Sequence, residues 1–379
     1  MHVPDAKTLR QVAWVFVKLG TIAFGGPAAH VAMMEDEVVT RRQWMTRKEF
    51  LDHLAAANLI PGPNSTELAI YIGRASAGWP GLLIAGLCFI LPATLIVATL
   101  AAVYVRFGQL PEIDAFLYGI KPVVIAIVLQ ALWRLAHTAV KSPFLGLLAV
   151  VALAASSLGV HELVILTGCG LAGALWKLRG SGTSVRAVAT IGLALTSPLT
   201  AAAGASVPFE FCRMFVLFVK AGALLFGSGY VLLTFLRADF VVRFGWLTEQ
   251  QLLDAIVAGQ ITPGPVFTTA TFVGYLLGGA PGAVVATAGI FLPAFVFVAL
   301  SAPLLPRIRR SPLAGAVLDG VMVASLGLMA VVTWQLGRAA LVDWLTAVIA
   351  VASGILLFRK VQQAWLLAGG AILGVLLGR

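Results

Sequence analysis

The chain has 379 residues, of which 60% are hydrophobic and only 11% charged, with a mean hydropathy of +0.98. Soluble domains carry roughly a quarter charged residues, so this composition excludes an ordinary soluble protein and describes a polytopic membrane protein. The net charge of +10 does not point to nucleic acid, because the basic residues stand singly or in small groups between apolar runs, as in cytoplasmic loops.

Residues 1–10 lack the basic start, short apolar core and small-residue cleavage site of a signal peptide. Insertion as a multi-pass protein of a bacterial inner membrane is the expectation. An apolar helix is predicted from about 8 to 23, stopped by Phe24-Gly25-Gly26-Pro27. A second helix leads into the charged loop Arg41, Arg42, Arg47, Lys48, and an amphipathic helix over about 48–60 ends at Pro61-Gly62-Pro63. The next helix starts at Pro63, a favourable first-turn residue, and runs toward Gly78. A long span over 80–105 with a kink at Pro92 follows, then spans over about 115–136, 144–158 and 161–177. A crossing needs ~20 apolar residues, which leaves the 144–158 segment short. Cys88, Cys169 and Cys212 all sit in apolar surroundings, with no disulfide framework and no CxxC pattern.

The chain then repeats itself. Phe16-Val17-Lys18 returns as Phe218-Val219-Lys220, Trp44 as Trp246, Asp52 as Asp254 and Pro61-Gly62-Pro63 as Pro263-Gly264-Pro265, all at an offset of 202 residues. Beyond that the offset is 201, relating Gly73 to Gly274, Pro80-Gly81 to Pro281-Gly282, Gly119 to Gly320 and Trp133 to Trp334. The predicted architecture is an all-α membrane protein of two homologous halves, residues 1–180 and 208–379. A linker over 181–207 joins them and serves as a candidate extra span.

Charge gives the orientation. In the first half the basic residues gather at 41–48, at Arg134 and Lys141, and at Lys177, Arg179 and Arg186. In the second half Arg307, Arg309, Arg310 and Arg359-Lys360 occupy the loops that are acidic or neutral in the first. The halves are therefore expected to be inverted, although Arg237 and Arg243 run against that pattern.

Helix breaks at membrane depth are tolerated where the freed backbone is buried or lines a cavity. Paired breaks in two halves mark a transporter binding site. A helix N-terminus supplies roughly half a positive charge and free N–H donors, so the breaks suit an anion. The candidate ligands are Gly25 and Gly26, which leave the backbone bare, with Gly62, Asn64, Ser65 and Thr66 at the first PGP turn. Gly227, Gly264 and Thr268 stand at the second-half counterparts. Lys18 and Lys220, cations within apolar helices, are candidates by default, against the alternative of snorkelling to an interface. His30 follows the first break by one turn and is replaced by Leu232 in the second half, so a proton-sensing or anion-binding role stands beside a structural one. Asn58 precedes the first PGP as Gln260 precedes the second, and both read as caps of the break. Glu67 and Arg74 are candidates for coupling or for an ion pair. Glu35, Asp36 and Glu37 read as a solvated helix end.

No enzyme signature survives inspection. His161-Glu162 lacks the second histidine of HExxH, since Ile165 stands there, and neither GxxxxGK[ST] nor a Gly-x-Ser-x-Gly elbow occurs. No cofactor and no metal site is expected.

The stretch Phe-Val-Lys-x-Gly-x-x-x-Phe-Gly-Gly-Pro-x-x-His at 16–30, with Asn58-Leu-Ile-Pro-Gly-Pro-Asn-Ser-Thr-Glu67, resembles the chromate transporter family in its long, two-half form. The resemblance covers essentially the whole chain. It implies export of chromate from the cytoplasm, with resistance as the outcome, driven by membrane potential or a proton gradient. Sulfate is the related or competing anion. A permease for sulfate or another oxyanion and a passive anion channel are the alternatives, and lipid contact is implied throughout. A homodimer is left open. The second half departs from the motif, because Phe226-Gly227-Ser228-Gly229 lacks the proline and the histidine.

Overall fold

The computed structural model describes residues 5–108, 110–179, 208–226, 229–309 and 312–377, with backbone alone at 179, 302–309 and 312. The linker 181–207, the candidate Gly227 and the basic residue Arg310 lie outside the described residues. The first half comprises α1 (Ala6–Ile22), α2 (Gly26–Glu35), α3 (Arg47–Ala57), α4 (Asn64–Phe107), α5 (Pro111–Ala139), α6 (Pro143–Ser157) and α7 (Glu162–Arg179). The second comprises α8 (Phe211–Leu224), α9 (Leu232–Leu236), α10 (Glu249–Ile261), α11 (Thr269–Arg309), α12 (Pro312–Ala340), α13 (Trp344–Phe358) and α14 (Gln363–Leu377). Both α2 and α9 run on into a π-helical stretch, Asp36–Arg41 and Arg237–Arg243. Thr46 and Thr248 start α3 and α10 with matching capping boxes.

The longest helices are hairpins. Ala77 and Gly78 leave helical geometry inside α4, and Gly278 and Gly279 do so inside α11, with φ of +60° and +61° at the second residue of each pair. Gly73 lies against the backbone of Gly81 and the side chain of Ala85, and Gly274 against Gly282 and Ala286. Eight residues of straight helix would separate such pairs by ~12 Å, so each element folds back on itself. The limb 64–76 runs from the PGP turn to one end of the bundle, and the limb 79–107 crosses to the other. Pro92 sits within the second limb without a non-helical residue beside it. The break belongs to the turn at 77–78, where glycine supplies the left-handed φ. Four helical stretches are long and apolar enough to cross a membrane among the described residues: Asn64–Phe107, Pro111–Ala139, Val266–Ser301 and Leu313–Ala340.

Corresponding helices run antiparallel. Along α4 and α11, Tyr71 meets Ser301, Gly86 meets Phe295 and Tyr104 meets Phe272. Along α5 and α12, Ile125 meets Gly337, whereas Leu129 and Trp133 share a surface cavity with Leu326 and Gly327. The two halves are thus related by an axis across the helices, as in an inverted repeat. They also interleave: α5 packs on α13 and α14, and α12 on α6 and α7. Small residues let these helices approach, with Gly119 against Gly370 and Gly374, and Gly173 against Ala316.

The helix directions sort the loops into two ends. The Arg41–Arg47 loop, the turn at Gly78, Lys141 and Lys360 gather at one end. The start of α5, His161-Glu162, the α9–α10 loop and Asp343 lie at the other. Arg237 and Arg243, which run against the charge pattern, are neutralised there by Glu249 and Asp239. The positive-inside rule leads one to expect the basic end on the cytoplasmic side. Residues 179 and 208 stand at opposite ends of the bundle.

Candidate functional site

The breaks of one half meet the PGP turn of the other. Gly62 has φ +139° and Gly264 φ +94°. The Gly62 N–H donates to the Leu225 carbonyl (2.7 Å) and the Gly264 N–H to the Ala23 carbonyl (2.9 Å). Each PGP turn therefore satisfies the frayed C-terminal end of the other half's first helix, α8 or α1. This corrects the expectation that Gly62 and Gly264 offer their N–H groups to an anion, since those donors are already used. A side chain would not fit at Gly62, where Glu67 Oε1 fills the Cβ position, or at Gly264, where the Gly20 carbonyl and Ala93 stand.

The N-terminal ends are left free. Gly25 (φ +107°) and Gly26 (φ +75°) turn the chain into α2, and Pro63 turns it into α4, with no side-chain cap in either case. Both helices begin on the wall of one cavity of about 240 Å³. Gly25, Gly26, His30, Asn64 and Ser65 line it from the first half together with Gln130 and Arg134 of α5. Gly229, Tyr230, Val266 and Phe267 line it from the second. A second cavity shares Gly25, Gln130, Arg134 and Gln363 and carries Lys360. The pair forms a vestibule toward the basic end. Arg134 is the cation common to both, and no carboxylate among the described residues pairs with it.

His30 is 1% exposed, and its Nε2 lies 3.1 Å from the Ala23 carbonyl. A carbonyl only accepts, so the fitting tautomer carries its proton on Nε2 and leaves Nδ1 as an acceptor. Neutral His30 thus holds the end of α1 and offers an anion no donor. Asn58 does not line the cavity; its Oδ1 accepts from Asn64 Nδ2 at 2.6 Å and braces that residue. Thr66 is fully buried, and the Thr268 hydroxyl donates to the Pro265 carbonyl (2.9 Å), so both stand behind the wall.

The lysines are placed differently from the expectation. Lys18 pairs with Glu37 (3.0 Å), which Arg42 also holds (2.9 Å). Lys220 lies between Asp239 (2.5 Å) and Glu162 (3.1 Å). Neither lines the cavity. A cation at this depth is stabilised by the nearest carboxylate, and Glu37 and Asp239 occupy corresponding positions one helix further on. Glu37 is buried, not a solvated helix end. Glu67 and Arg74 do not pair: Glu67 is fully buried with neither oxygen hydrogen-bonded, while Arg74 donates to the Ala299 carbonyl (3.1 Å) and stacks on Trp79.

Gln130 and Arg134 escaped the sequence reading, in which Arg134 was one more basic loop residue. A signal existed. Gln130, Arg134 and Thr138 recur at intervals of four along an apolar span, one polar stripe on one helix face, and Gln335 stands where the second copy would carry the arginine.

A family model described as chromate transporter matches residues 10–174 and again 212–375. A chromate transport protein of Cupriavidus metallidurans is 35% identical over 386 residues, covering 99% of this chain and 94% of its own. One from Pseudomonas aeruginosa is 32% identical, covering 89% and 83%. An uncharacterized transporter of Methanocaldococcus jannaschii is 26% identical, covering 96% and 92%. No solved structure matches the chain.

Proposed function

The chain belongs to the chromate transporter family, and we propose that it exports chromate across the bacterial inner membrane by alternating access, binding it in the cavity between the two repeats. The observation that carries this is the convergence, on one cavity, of two uncapped helix N-termini and of Arg134, which no carboxylate among the described residues pairs. A tetrahedral dianion needs donors on several sides and about two units of compensating charge. The two helix ends contribute roughly half a charge each, and Arg134 contributes a full one. Asn64 and Ser65 add donors that neither helix end can place.

Access and voltage both support this direction. The vestibule opens toward the basic end, so the anion loads from the cytoplasm. A charge crossing the membrane gains or loses about 2.3 kcal/mol per 100 mV, and a dianion leaving a negative interior gains twice that. The lining chemistry, N–H donors and a guanidinium, suits sulfate equally, which supports a broader oxyanion permease as the second reading.

The test is uptake of labelled chromate into everted vesicles with and without excess sulfate. Energised vesicles should accumulate chromate, and de-energised ones should only equilibrate. Accumulation of sulfate without chromate would replace this reading with the second one. Accumulation that stops at the level set by the membrane potential and does not saturate with chromate would make the protein a channel.

A further inference from the structure

The two halves share a sequence pattern but not a packing environment. In α3 only Phe50, Ala56 and Ala57 are buried, and the helix lies chiefly against α4. Its counterpart α10 is buried from Leu252 through Gly259 and is wedged among α4, α5, α11 and α12. Leu51 is 48% exposed, whereas Leu253 at the corresponding place is 0% exposed. The bundle is therefore splayed toward the basic end, where the vestibule opens, and closed at the opposite end.

At the closed end α10 carries a buried ionic contact. Asp254 (5% exposed) pairs with Lys121 of α5 (9% exposed) at 2.8 Å, and Tyr104 of α4 donates to its other oxygen at 2.8 Å. Lys121 lies on α5 between the cavity-lining Ile127 and the end away from the basic loops. The contact joins the two halves and exists once. Asp52, the counterpart of Asp254, is exposed, and Met322 and Leu305 stand where Lys121 and Tyr104 would recur.

We propose that Lys121, Asp254 and Tyr104 form the lock that keeps the cavity shut at the end away from the basic loops, and that it parts in each transport cycle. An inverted repeat reaches its oppositely open state when the two halves exchange conformations. In that exchange α3 takes the wedged position of α10, and α10 takes the splayed position of α3. Asp254 then leaves Lys121 and becomes exposed, as Asp52 is here. Asp52 enters a slot facing Met322, with no lysine to hold it. The lock thus weights the equilibrium toward the inward-open state, in which the site waits for cytoplasmic anion. These are positioning residues, for they touch no substrate and govern which end reaches it.

The proposal rests on the alternating-access reading but not on the identity of the anion, so its test reads access. Single cysteines replace Thr138, on the vestibule side, and Gln335, the counterpart of Arg134, toward the closed end. Membrane-impermeant maleimide is applied to everted and to right-side-out vesicles, and labelling is read peptide by peptide by mass spectrometry. With the lock intact, Thr138→Cys should label readily and Gln335→Cys slowly. Asp254→Asn or Lys121→Met should raise Gln335→Cys labelling roughly tenfold and lower that of Thr138→Cys, because one population grows at the other's expense. Lys121→Arg should keep labelling slow. Tyr104→Phe, which removes one hydrogen bond, should give an intermediate rate in a protein that still folds. Unchanged rates in the lock variants, or a rise at both reporters together, would overturn the proposal. Failure to transport chromate would overturn the preceding reading and leave this one standing.

Discussion

At the scale of single residues, buried ion pairs hold helices together, while Arg134, an exposed residue on the cavity wall, is left for a ligand. Lys220 sits between Asp239 and Glu162, so removing it would leave two carboxylates facing each other in a poorly solvated site. Breaking a buried pair by removing one partner costs about 3–5 kcal/mol. Lys18 is more exposed, and its partner Glu37 keeps Arg42, so its loss should cost less. Arg134 has no such duty. Arg134→Gln is expected to weaken chromate binding by ~10–150-fold, the value of a charged hydrogen bond worth about 1.5–3 kcal/mol, with little change in melting temperature. Lys220→Met should do the reverse, lowering the melting temperature sharply, and Lys18→Met should do so mildly. Binding of labelled chromate to the purified protein, measured beside thermal unfolding, separates the two effects. Loss of binding with unchanged melting in Lys18→Met would restore that lysine to the site.

At the scale of elements, the hairpins of α4 and α11 place the PGP turns at mid-depth. A short limb of 64–76 reaches only part way across, which is why the helix after it must double back. The glycines that permit this differ in kind. Gly78 has φ +60° but open space around its Cβ position, whereas Gly73 has ordinary helical geometry and the backbone of Gly81 in contact. Alanine at Gly78, whose ψ of −146° lies outside the left-handed helical well, costs on the order of 1–3 kcal/mol of strain, while a methyl group driven into a facing backbone forces the limbs apart. Gly73→Ala should therefore reduce the folded yield far more than Gly78→Ala, as read by monodispersity of the detergent-solubilised protein on gel filtration. Equal yields would mean that the limbs slide freely past each other. A similar contrast holds at the breaks. The Cβ position of Gly26 meets nothing within 4 Å, whereas that of Gly62 is filled by Glu67, so although a positive φ strains a side chain at either place, Gly26→Leu is expected to disturb the fold less than Gly62→Leu.

At the scale of the molecule, antiparallel counterparts and interleaved halves imply one topology. Tags inserted between Gln43 and Thr46 and beside Lys360 are expected on the cytoplasmic side. Tags at Gly159 and at Leu341-Val342 are expected outside. Accessibility to an impermeant protease in intact spheroplasts and in everted vesicles checks this. A tag at Gly159 on the same side as the tag beside Lys360, its counterpart in the second half, would require a parallel duplication instead. Because α13 and α14 pack on α5 and α6 and α7 on α12, each half lends its last two helices to the other, and neither encloses the cavity alone.

Sequence alone carried the membrane class, the duplication, the inverted charge pattern, the helix order and the glycine breaks, because each is a local or periodic property of the chain. Composition sets burial in lipid, proline and glycine set the breaks, and an offset of about 202 residues sets the repeat. It also marked Gly25, Gly26, His30, Asn64 and Ser65, which do line one cavity. What it could not carry was pairing across the fold. The partners of Lys18 and Lys220, the use of the Gly62 and Gly264 donors by the opposite half, and the arrival of Gln130 and Arg134 beside breaks some hundred residues earlier are contacts between elements distant in sequence. A charge in an apolar helix reads the same whether it awaits an anion or already has a carboxylate. Only the tertiary structure decides, because a carboxylate lies within reach of each lysine and none among the described residues lies within reach of Arg134.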